Sequence, residues 1–198
     1  MAKSANLLVD GLGAPEQIGL LLPLHWQSVA LVLGGVTSGA TVVVARSAGE
    51  LRDCAAAFVL ARDAEAALDA GVDDVLVVSE HPMGLSTATP PGLAVDFARE
   101  VPGYGDVWTG PFATAHRVLL DGAALAAEPL AGVGDVDRVL VAGALPDVLP
   151  LLLSSLAASA ALVLVPDPAG VDLPALVRTE QITATAGLPV AGLRRLDA

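Results

Sequence analysis

Short apolar runs alternate along the chain with segments whose apolar residues follow a helical period. Runs of four or five apolar residues are typical of strands in a parallel sheet, because helices cover both faces of such a sheet. In the first part of the chain, the pattern predicts strands at residues 18–22, 41–45, 57–60 and 75–78. Helices are predicted between them, at 26–37, 48–54 and 64–69.

A proline- and glycine-rich segment at residues 81–110 interrupts this alternation, and it predicts a long connection with a short strand or helical turn of its own. Beyond it the pattern predicts helices at 118–130, 148–158, 173–179 and 190–196, and strands at 139–141, 162–165 and 182–186. The chain is therefore expected to be a three-layer α/β protein with parallel sheets. We expect a first lobe (1–85), a connection (86–110) and a second lobe (111–198), or one compact domain that contains both lobes.

The two halves of the chain repeat each other. Residues 18–45 and 138–165 align without a gap at an offset of about 120, which places Leu31 on Leu151 and Ala40 on Ala160. Each segment reads as strand, loop, apolar helix, small-residue turn and strand. Internal duplication and independent α/β patterning explain this equally well, and both predict two similar β-α-β units with right-handed crossovers.

Composition narrows the possible partners. Hydrophobic residues make up 54% of the chain, aromatic residues 3%, and the net charge is −12. Nucleic acid and anionic membrane surfaces are therefore not expected as partners, because both require lysine and arginine. The apolar run at 148–165 approaches the length of a membrane span, but Pro150 and three serines favour a buried helix that leads into a strand.

The compartment is expected to be the cytoplasm. No basic segment followed by an apolar stretch opens the chain, so no secretory signal is predicted. Cys54 is the only cysteine, which excludes an internal disulfide.

Candidate chemistry is sparse. His25 and Trp26 stand at a strand-to-helix junction, where a parallel sheet places its binding crevice, so they are candidates for a substrate pocket; a packed aromatic corner is the alternative. Ser79-Glu80-His81 has the residue types of a catalytic triad but no nucleophile elbow. The acidic pair at 73–74 and the acidic residues at 135–137 are better explained by solvated turns than by a cation. The histidines and Cys54 lack metal-ligand spacing, so no metal is expected.

Several short motifs stand in a fixed order along the chain. They are Ala5-Asn6-Leu7-Leu8, Leu21-Leu22-Pro23, Ser38-Gly39-Ala40-Thr41-Val42-Val43, Asp137-Arg138-Val139-Leu140 and Ala161-Leu162-Val163-Leu164. In this order and spacing the chain resembles the N-terminal portion of adenylate-forming (AMP-binding, acyl-activating) enzymes, and most closely their short uncharacterised relatives. The resemblance implies the N-terminal α/β scaffold of a nucleotide- and acyl-handling enzyme.

The chain departs from that family where the family binds phosphate. The family's loop is rich in Ser, Thr and Gly and ends in Pro-Lys, whereas the matching stretch keeps only Thr109, Gly110 and Thr114. It has no lysine, and Pro111 removes a backbone N–H donor. The resemblance makes these three residues a degenerate phosphate-loop remnant, with an ordinary loop as the favoured alternative. Residual ATP or AMP binding is possible by this reasoning but is not favoured.

The resemblance carries over no catalytic residue. Leu145-Pro146-Asp147-Val148-Leu149 replaces the family's L-P-x-F-H motif, and the later acidic motifs and catalytic lysine would lie beyond Ala198. The single lysine, Lys3, is expected at a loose terminus. Because the family carries a further strand and helix before Ala5, a truncated N-terminus is also expected.

The combined expectation is a non-catalytic descendant of an acyl-adenylating enzyme that binds a small acyl or nucleotide ligand or a protein partner. One alternative is an incomplete acyl-CoA synthetase-like enzyme that needs another chain. Another is a structural homodimer that associates through Leu- and Ala-rich helix faces.

Overall fold

The computed structural model describes residues 1–86, 89–111 and 117–196. Their contacts group into two compact units. The first consists of Met1–Leu22 and Trp26–Leu125, and the second of Pro23–His25 and Ala126–Ala198. The lobe boundaries at 85 and 110 stay a prediction about domains.

The first unit is built on a sheet that has seven strands in the described residues. In chain order these are β1 (Gln17–Leu21), β2 (Thr41–Val44), β3 (Ala56–Val59), β4 (Asp74–Val77), β5 (Val95–Asp96), β6 (Arg117–Leu120) and β7 (Ala123–Leu125). They lie side by side in the order β5-β4-β3-β1-β2-β6-β7, and only the β6–β7 pair is antiparallel. β1 is central because the chain leaves it for β2 on one side and returns to β3 on the other.

Four helices accompany this sheet in the described residues: α1 (Ala2–Asn6), α2 (Trp26–Ser38), α3 (Ala64–Asp69) and α4 (Phe97–Glu100). α1 continues into a π-helical turn (Leu7–Gly11), and single 3-10 turns occur at Ala48–Leu51, Ala61–Asp63 and Val101–Gly103. α2 approaches its neighbours closely: a Cβ atom on Gly34 would lie 2.6 Å from Cβ of Ser4, and one on Gly35 would lie 2.9 Å from Cδ1 of Ile18. Glycine therefore brings α2 against both α1 and the sheet.

The second unit has a parallel sheet of four strands in the described residues. Its elements are β8 (Arg138–Ala142), α5 (Leu145–Ala157), β9 (Ala161–Val165), α6 (Leu173–Glu180), β10 (Ala184–Ala186) and β11 (Arg194–Leu196), with the strand order β11-β10-β8-β9. Leu140, Ala142 and Ile182 form a core against one face of α6. The predicted α/β class with parallel sheets is confirmed.

Two predicted helices are wrong. Residues 118–125 instead belong to the hairpin β6–β7, whose two-residue turn has φ of 51° at Asp121 and 76° at Gly122, and residues 126–130 have no regular secondary structure. Asp-Gly is a preferred sequence for such a tight hairpin turn, and this signal outweighs the apolar period of the segment. Residues 190–196 instead contain β11, which pairs with β10, and Arg194 at the start of β11 donates to Gly132 O and Asp137 Oδ1.

At the predicted helix 48–54 the structure has only the 3-10 turn Ala48–Leu51. The other predicted helices and strands are confirmed to within about three residues at their ends, the ordinary scatter of such boundaries being one or two. The long connection contains β5 and α4, as expected. Residues 148–165 contain most of α5 and then β9, and within the described ranges no helix is long and apolar enough to cross a membrane.

The internal repeat is present in three dimensions, with one correction. β1-α2-β2 and β8-α5-β9 are both parallel β-α-β units. Ile18 pairs with Val42, whereas the partner of Leu162, which is 120 residues after Val42, is Val139 rather than Arg138. In the gapless alignment, β1 is therefore shifted by one residue relative to β8. The linkers from strand to helix differ in length, since residues 22–25 join β1 to α2 and residues 143–144 join β8 to α5.

Candidate functional site

Two cavities flank one loop in the first unit. The loop, residues 79–86, leaves the carboxyl end of β4, the edge at which open parallel sheets bind ligands. On one side lies a cavity of about 290 Å³ at the ends of β3 and β4. On the other lies a groove of about 440 Å³ formed by α1, α2, the loop and α4. We call these the polar cavity and the Trp26 groove.

The loop is fixed by its own hydrogen bonds and by Trp26. Trp26 Nε1 donates to Pro82 O at 2.8 Å, and Ser86 Oγ donates to Asp96 Oδ2. Gly84 has φ of 65° and approaches so closely that an added Cβ atom would lie 2.8 Å from Cζ2 of Trp26. The loop is therefore shaped around the indole ring, and the groove wall is pre-formed.

The polar cavity is lined by charged groups that bind one another. Arg62 Nη1 lies 3.4 Å from Glu80 Oε2, and Asp96 caps α4 by accepting a hydrogen bond from Ala98 N at 2.9 Å. His81 Nδ1 accepts from Met83 N at 3.1 Å, and Ser79 Oγ accepts from His81 N at 3.0 Å. These bonds form a turn, so Ser79 and His81 have a structural role in the loop.

The Trp26 groove is mainly apolar and open. Trp26 is 50% exposed, Met83 74% and Leu85 57%, although side chains of this size are usually buried. Phe97 lines the groove from α4 and is itself buried, with its ring in an edge-to-face contact with Phe58 at 5.7 Å. All the lining residues belong to the first unit.

Lys3 lies at this groove, anchored in α1 rather than at a loose terminus. Its Nζ atom lies 2.6 Å from Asp106 Oδ1, 2.7 Å from Tyr104 O and 3.3 Å from Pro102 O. Asn6 Nδ2 donates to Gly105 O and Val107 O at 2.8 and 3.0 Å. α1 therefore fixes residues 102–107, which lead into the predicted phosphate-loop remnant.

The remnant itself is only partly described. Thr109 is exposed, and a Cβ atom on Gly110 would collide with the Trp108 indole. Thr114 and His116 lie outside the described residues. The role of Thr109, Gly110 and Thr114 in binding phosphate stays a prediction.

One of the two predicted pocket residues lines the groove. Trp26 lines the groove, whereas His25 is half-buried and groups with the second unit. Sequence reasoning missed Met83, Leu85 and Lys3. The sequence did contain a signal for the first two, which lie on either side of a glycine in a proline-rich connection. Such a segment has little regular structure in which to bury large apolar side chains, so their exposure could have been predicted.

The remaining candidate groups have structural roles. Asp137 Oδ1 accepts from Thr183 Oγ1 at 2.7 Å and Oδ2 accepts from Gly134 N at 3.0 Å, and these bonds lower the pKa of Asp137. Burial raises the pKa of the Cys54 thiol, which makes it a poor nucleophile. In the described part of the chain, no three or more His, Cys, Asp and Glu side chains are grouped so as to hold a metal ion.

Comparison with known structures defines the class of fold. The anthranilate CoA ligase AuaEII in complex with anthranoyl-AMP matches 93% of this chain and 43% of its own length at a TM-score of 0.68 and 19% identity. Mycobacterium smegmatis MbtA matches with a TM-score of 0.68 at 18% identity over 41% of its length, and the N-terminal domain of FACL13 from Mycobacterium tuberculosis with 0.61 at 16% over 52%. The chain thus spans about two-fifths of the first two proteins. It has the fold of the N-terminal domain of adenylate-forming enzymes, as its motifs implied.

Sequence comparison gives the family. No protein-family model matches the chain. A TIGR03089 family protein of Mycobacterium tuberculosis (strain ATCC 25618 / H37Rv) is 34% identical over 195 residues, which cover 92% of this chain and 79% of that protein. The chain belongs to the TIGR03089 family.

Proposed function

We propose that this chain is a descendant of an acyl-adenylating enzyme that binds a small apolar or acyl ligand in the Trp26 groove and does not itself adenylate it. The observation that supports the proposal best is the groove. It exposes Trp26, Met83 and Leu85 together, and a hydrogen-bonded loop keeps it open.

The size and lining of the groove suit a small ligand. Its volume of about 440 Å³ falls in the usual range of ligand pockets, about 300 to 1,000 Å³. Covering exposed apolar side chains is favourable by about 25 cal/mol per Å². Because Trp26 is already fixed by Pro82 O, little side-chain entropy is lost when a ligand contacts it.

The chain's own residues are poorly suited to handling ATP. Phosphate loops use free backbone N–H groups and a lysine beside them, whereas the only lysine of this chain, Lys3, lies in α1 beside Asp106 and not in the loop remnant. A net charge of −12 adds general repulsion of polyanions. We therefore propose that any adenylation would need residues from outside this chain.

Tryptophan fluorescence tests the ligand-binding half of the proposal. A Trp108→Phe variant leaves Trp26 as the single tryptophan, so its emission reports the groove directly. Titration with dodecanol below its solubility limit should shift this emission to the blue and raise the melting temperature, because a ligand that binds only the folded state stabilises it.

Matched variants separate the groove from general surface binding. Met83→Ser and Leu85→Ser should weaken dodecanol binding, since each removes an apolar wall. Leu93→Ser is the control, because Leu93 is 88% exposed and does not line the groove. If all three variants bind dodecanol equally, the groove is not the site.

Two further measurements address the alternatives. Pyrophosphate exchange with ATP and mixed carboxylic acids by the purified chain would contradict the non-catalytic half. Light scattering that shows a stable dimer, together with a Trp26 emission that no ligand changes, would favour the structural homodimer instead.

A further inference from the structure

We infer that Lys3 makes the Trp26 groove selective for anionic amphiphiles, that is, molecules with an apolar chain and a negatively charged head. This inference rests on the proposed function and names the ligand class of the same site. It depends on where the chain's single lysine lies, beside exposed apolar side chains.

The groove has a defined charged end. Among the described residues that line it, Lys3 and Asp106 are the ones with charged side chains. Both face solvent, since the Lys3 side chain is 40% exposed and that of Asp106 79%. Met1 also lines the groove, and burial lowers the pKa of its α-amino group.

The Lys3–Asp106 pair can be exchanged. An ammonium group has three donors, and here they meet Asp106 Oδ1, Tyr104 O and Pro102 O. The two carbonyl groups hold the ammonium in place, whereas Asp106 is a mostly exposed side chain, and exposed ion pairs contribute little stability. A ligand anion can therefore replace the Asp106 carboxylate while Lys3 keeps its position.

The anion is expected to come from a free molecule rather than from a lipid bilayer. The chain carries a net charge of −12, so an anionic membrane surface repels it as a whole. A monomeric amphiphile with one charge experiences this repulsion far less, and its apolar chain supplies the binding free energy.

Three probes with the same chain length test the inference on the Trp108→Phe protein: dodecanoate, dodecanol and dodecyltrimethylammonium, each below its critical micelle concentration. Trp26 emission should report that dodecanoate binds about tenfold more tightly than dodecanol, as expected for one charge-assisted hydrogen bond. The trimethylammonium compound should bind more weakly than dodecanoate, because its head cannot accept a hydrogen bond from the Lys3 ammonium.

Two variants should change this preference in opposite directions. Lys3→Gln should remove the preference for dodecanoate over dodecanol, whereas Asp106→Asn should increase it, because the ammonium loses its competing carboxylate. Asp106 is exposed, so its replacement should not prevent folding, and Lys3→Arg should keep the preference if charge is the cause. Arg52→Gln, a loss of positive charge outside the groove, is the control.

The outcomes distinguish this inference from the function on which it rests. Equal affinity for dodecanol and dodecanoate, unchanged by Lys3→Gln, would overturn the inference and leave the groove as an apolar binding site. Failure of every probe to bind would overturn the proposed function itself. Binding to phosphatidylglycerol vesicles, with no response to monomeric dodecanoate, would also overturn the inference.

Discussion

The two β-α-β units of this chain share their local structure and differ in what surrounds them. In both, a left-handed residue follows the helix, Gly39 with φ of 92° and Ser159 with φ of 65°. In both, the next amide closes the same turn at 3.0 Å, from Ala40 N to Gly35 O and from Ala160 N to Ser155 O. The turn that returns the chain to the sheet is thus formed in the same way by different residues.

The two β-α-β units differ in their neighbouring strands and in how the helix packs against the sheet. β2 has β6 on its outer side, whereas β9 is the last strand of its sheet among the described residues and is partly exposed. Gly35 in α2 faces Ile18 and Val42, whereas its counterpart Ser155 is fully buried in α5 and its Oγ donates to Leu151 O at 2.7 Å. At this position α2 therefore leaves no room for a side chain, whereas α5 accommodates a serine, although the two patterns of apolar residues are alike.

The largest expected effect comes from exchanging the residues at this helix-to-sheet contact. Gly35→Ser should destabilise the first unit by about 3 kcal/mol, because its Cβ atom would overlap the side chains of Val42 and Ile18. Urea unfolding followed by tryptophan emission measures this, since Trp26 and Trp108 both lie in the first unit.

The reciprocal change is the control. Ser155→Gly should cost only about 1 kcal/mol, the ordinary cost of glycine inside a helix. Because Ser155 lies in the second unit, which has no tryptophan, this cost is measured by urea unfolding followed by far-UV circular dichroism. Equal costs for the two variants would show that the lack of room for a side chain at Gly35 has no energetic consequence.

Substitutions at the left-handed residues Gly39 and Ser159 should have smaller effects on stability, with opposite signs. Gly39→Ser should destabilise by about 1–2 kcal/mol, because a side chain is strained at this φ, and Ser159→Gly should stabilise by up to about 1 kcal/mol by removing that strain. Thermal unfolding followed by far-UV circular dichroism would show both shifts. A loss of stability in Ser159→Gly would indicate that the serine side chain contributes more than the strain costs.

Asp137 should make the stability of the second β-α-β unit depend on pH in a way that the first does not. It precedes β8 as Glu16 precedes β1, and the carbonyl groups of both accept the amide of the returning strand, Ala161 N and Thr41 N. Only Asp137 is bonded through its carboxylate to Thr183, Gly134 and Arg194, which lowers its pKa. A lowered pKa stabilises the fold above the ordinary value near 3.8, and this contribution is lost as pH falls through the lowered native value.

Asp137→Asn should therefore reduce stability at pH 7 by about 1 kcal/mol and make the second unit less sensitive to pH below about 4. Amide hydrogen exchange of residues 138–142 at pH 7 would report the first effect, and acid unfolding by circular dichroism the second. Glu16→Gln is the matched control. If it produces the same change, the carboxylate bonds of Asp137 are not the cause.

The sequence alone predicted more of the fold than of the site. Buried strands such as β3 and β8 were predictable because continuous apolar runs have few other uses in an α/β protein. The hairpin at Asp121-Gly122 was missed because its flanking residues also fit a helical period, and β11 because a three-residue strand has no period to detect. Trp26 could be singled out by its junction, but the loop that packs against it depends on contacts of Pro82 and Gly84 more than 50 residues away in sequence.

By itself the sequence determined the α/β class, the repeated unit and the scarcity of positive charge, because these follow from local periodicity and counting. Only the tertiary structure decided where the single lysine acts. Lys3 is distant in sequence from Pro102, Tyr104 and Asp106, and folding α1 onto α2 brings it to them and to the rim of the Trp26 groove. Long-range contacts of this kind leave no periodic trace in a single chain, so a lysine that composition marks only as rare becomes, in the fold, the charged end of an apolar groove.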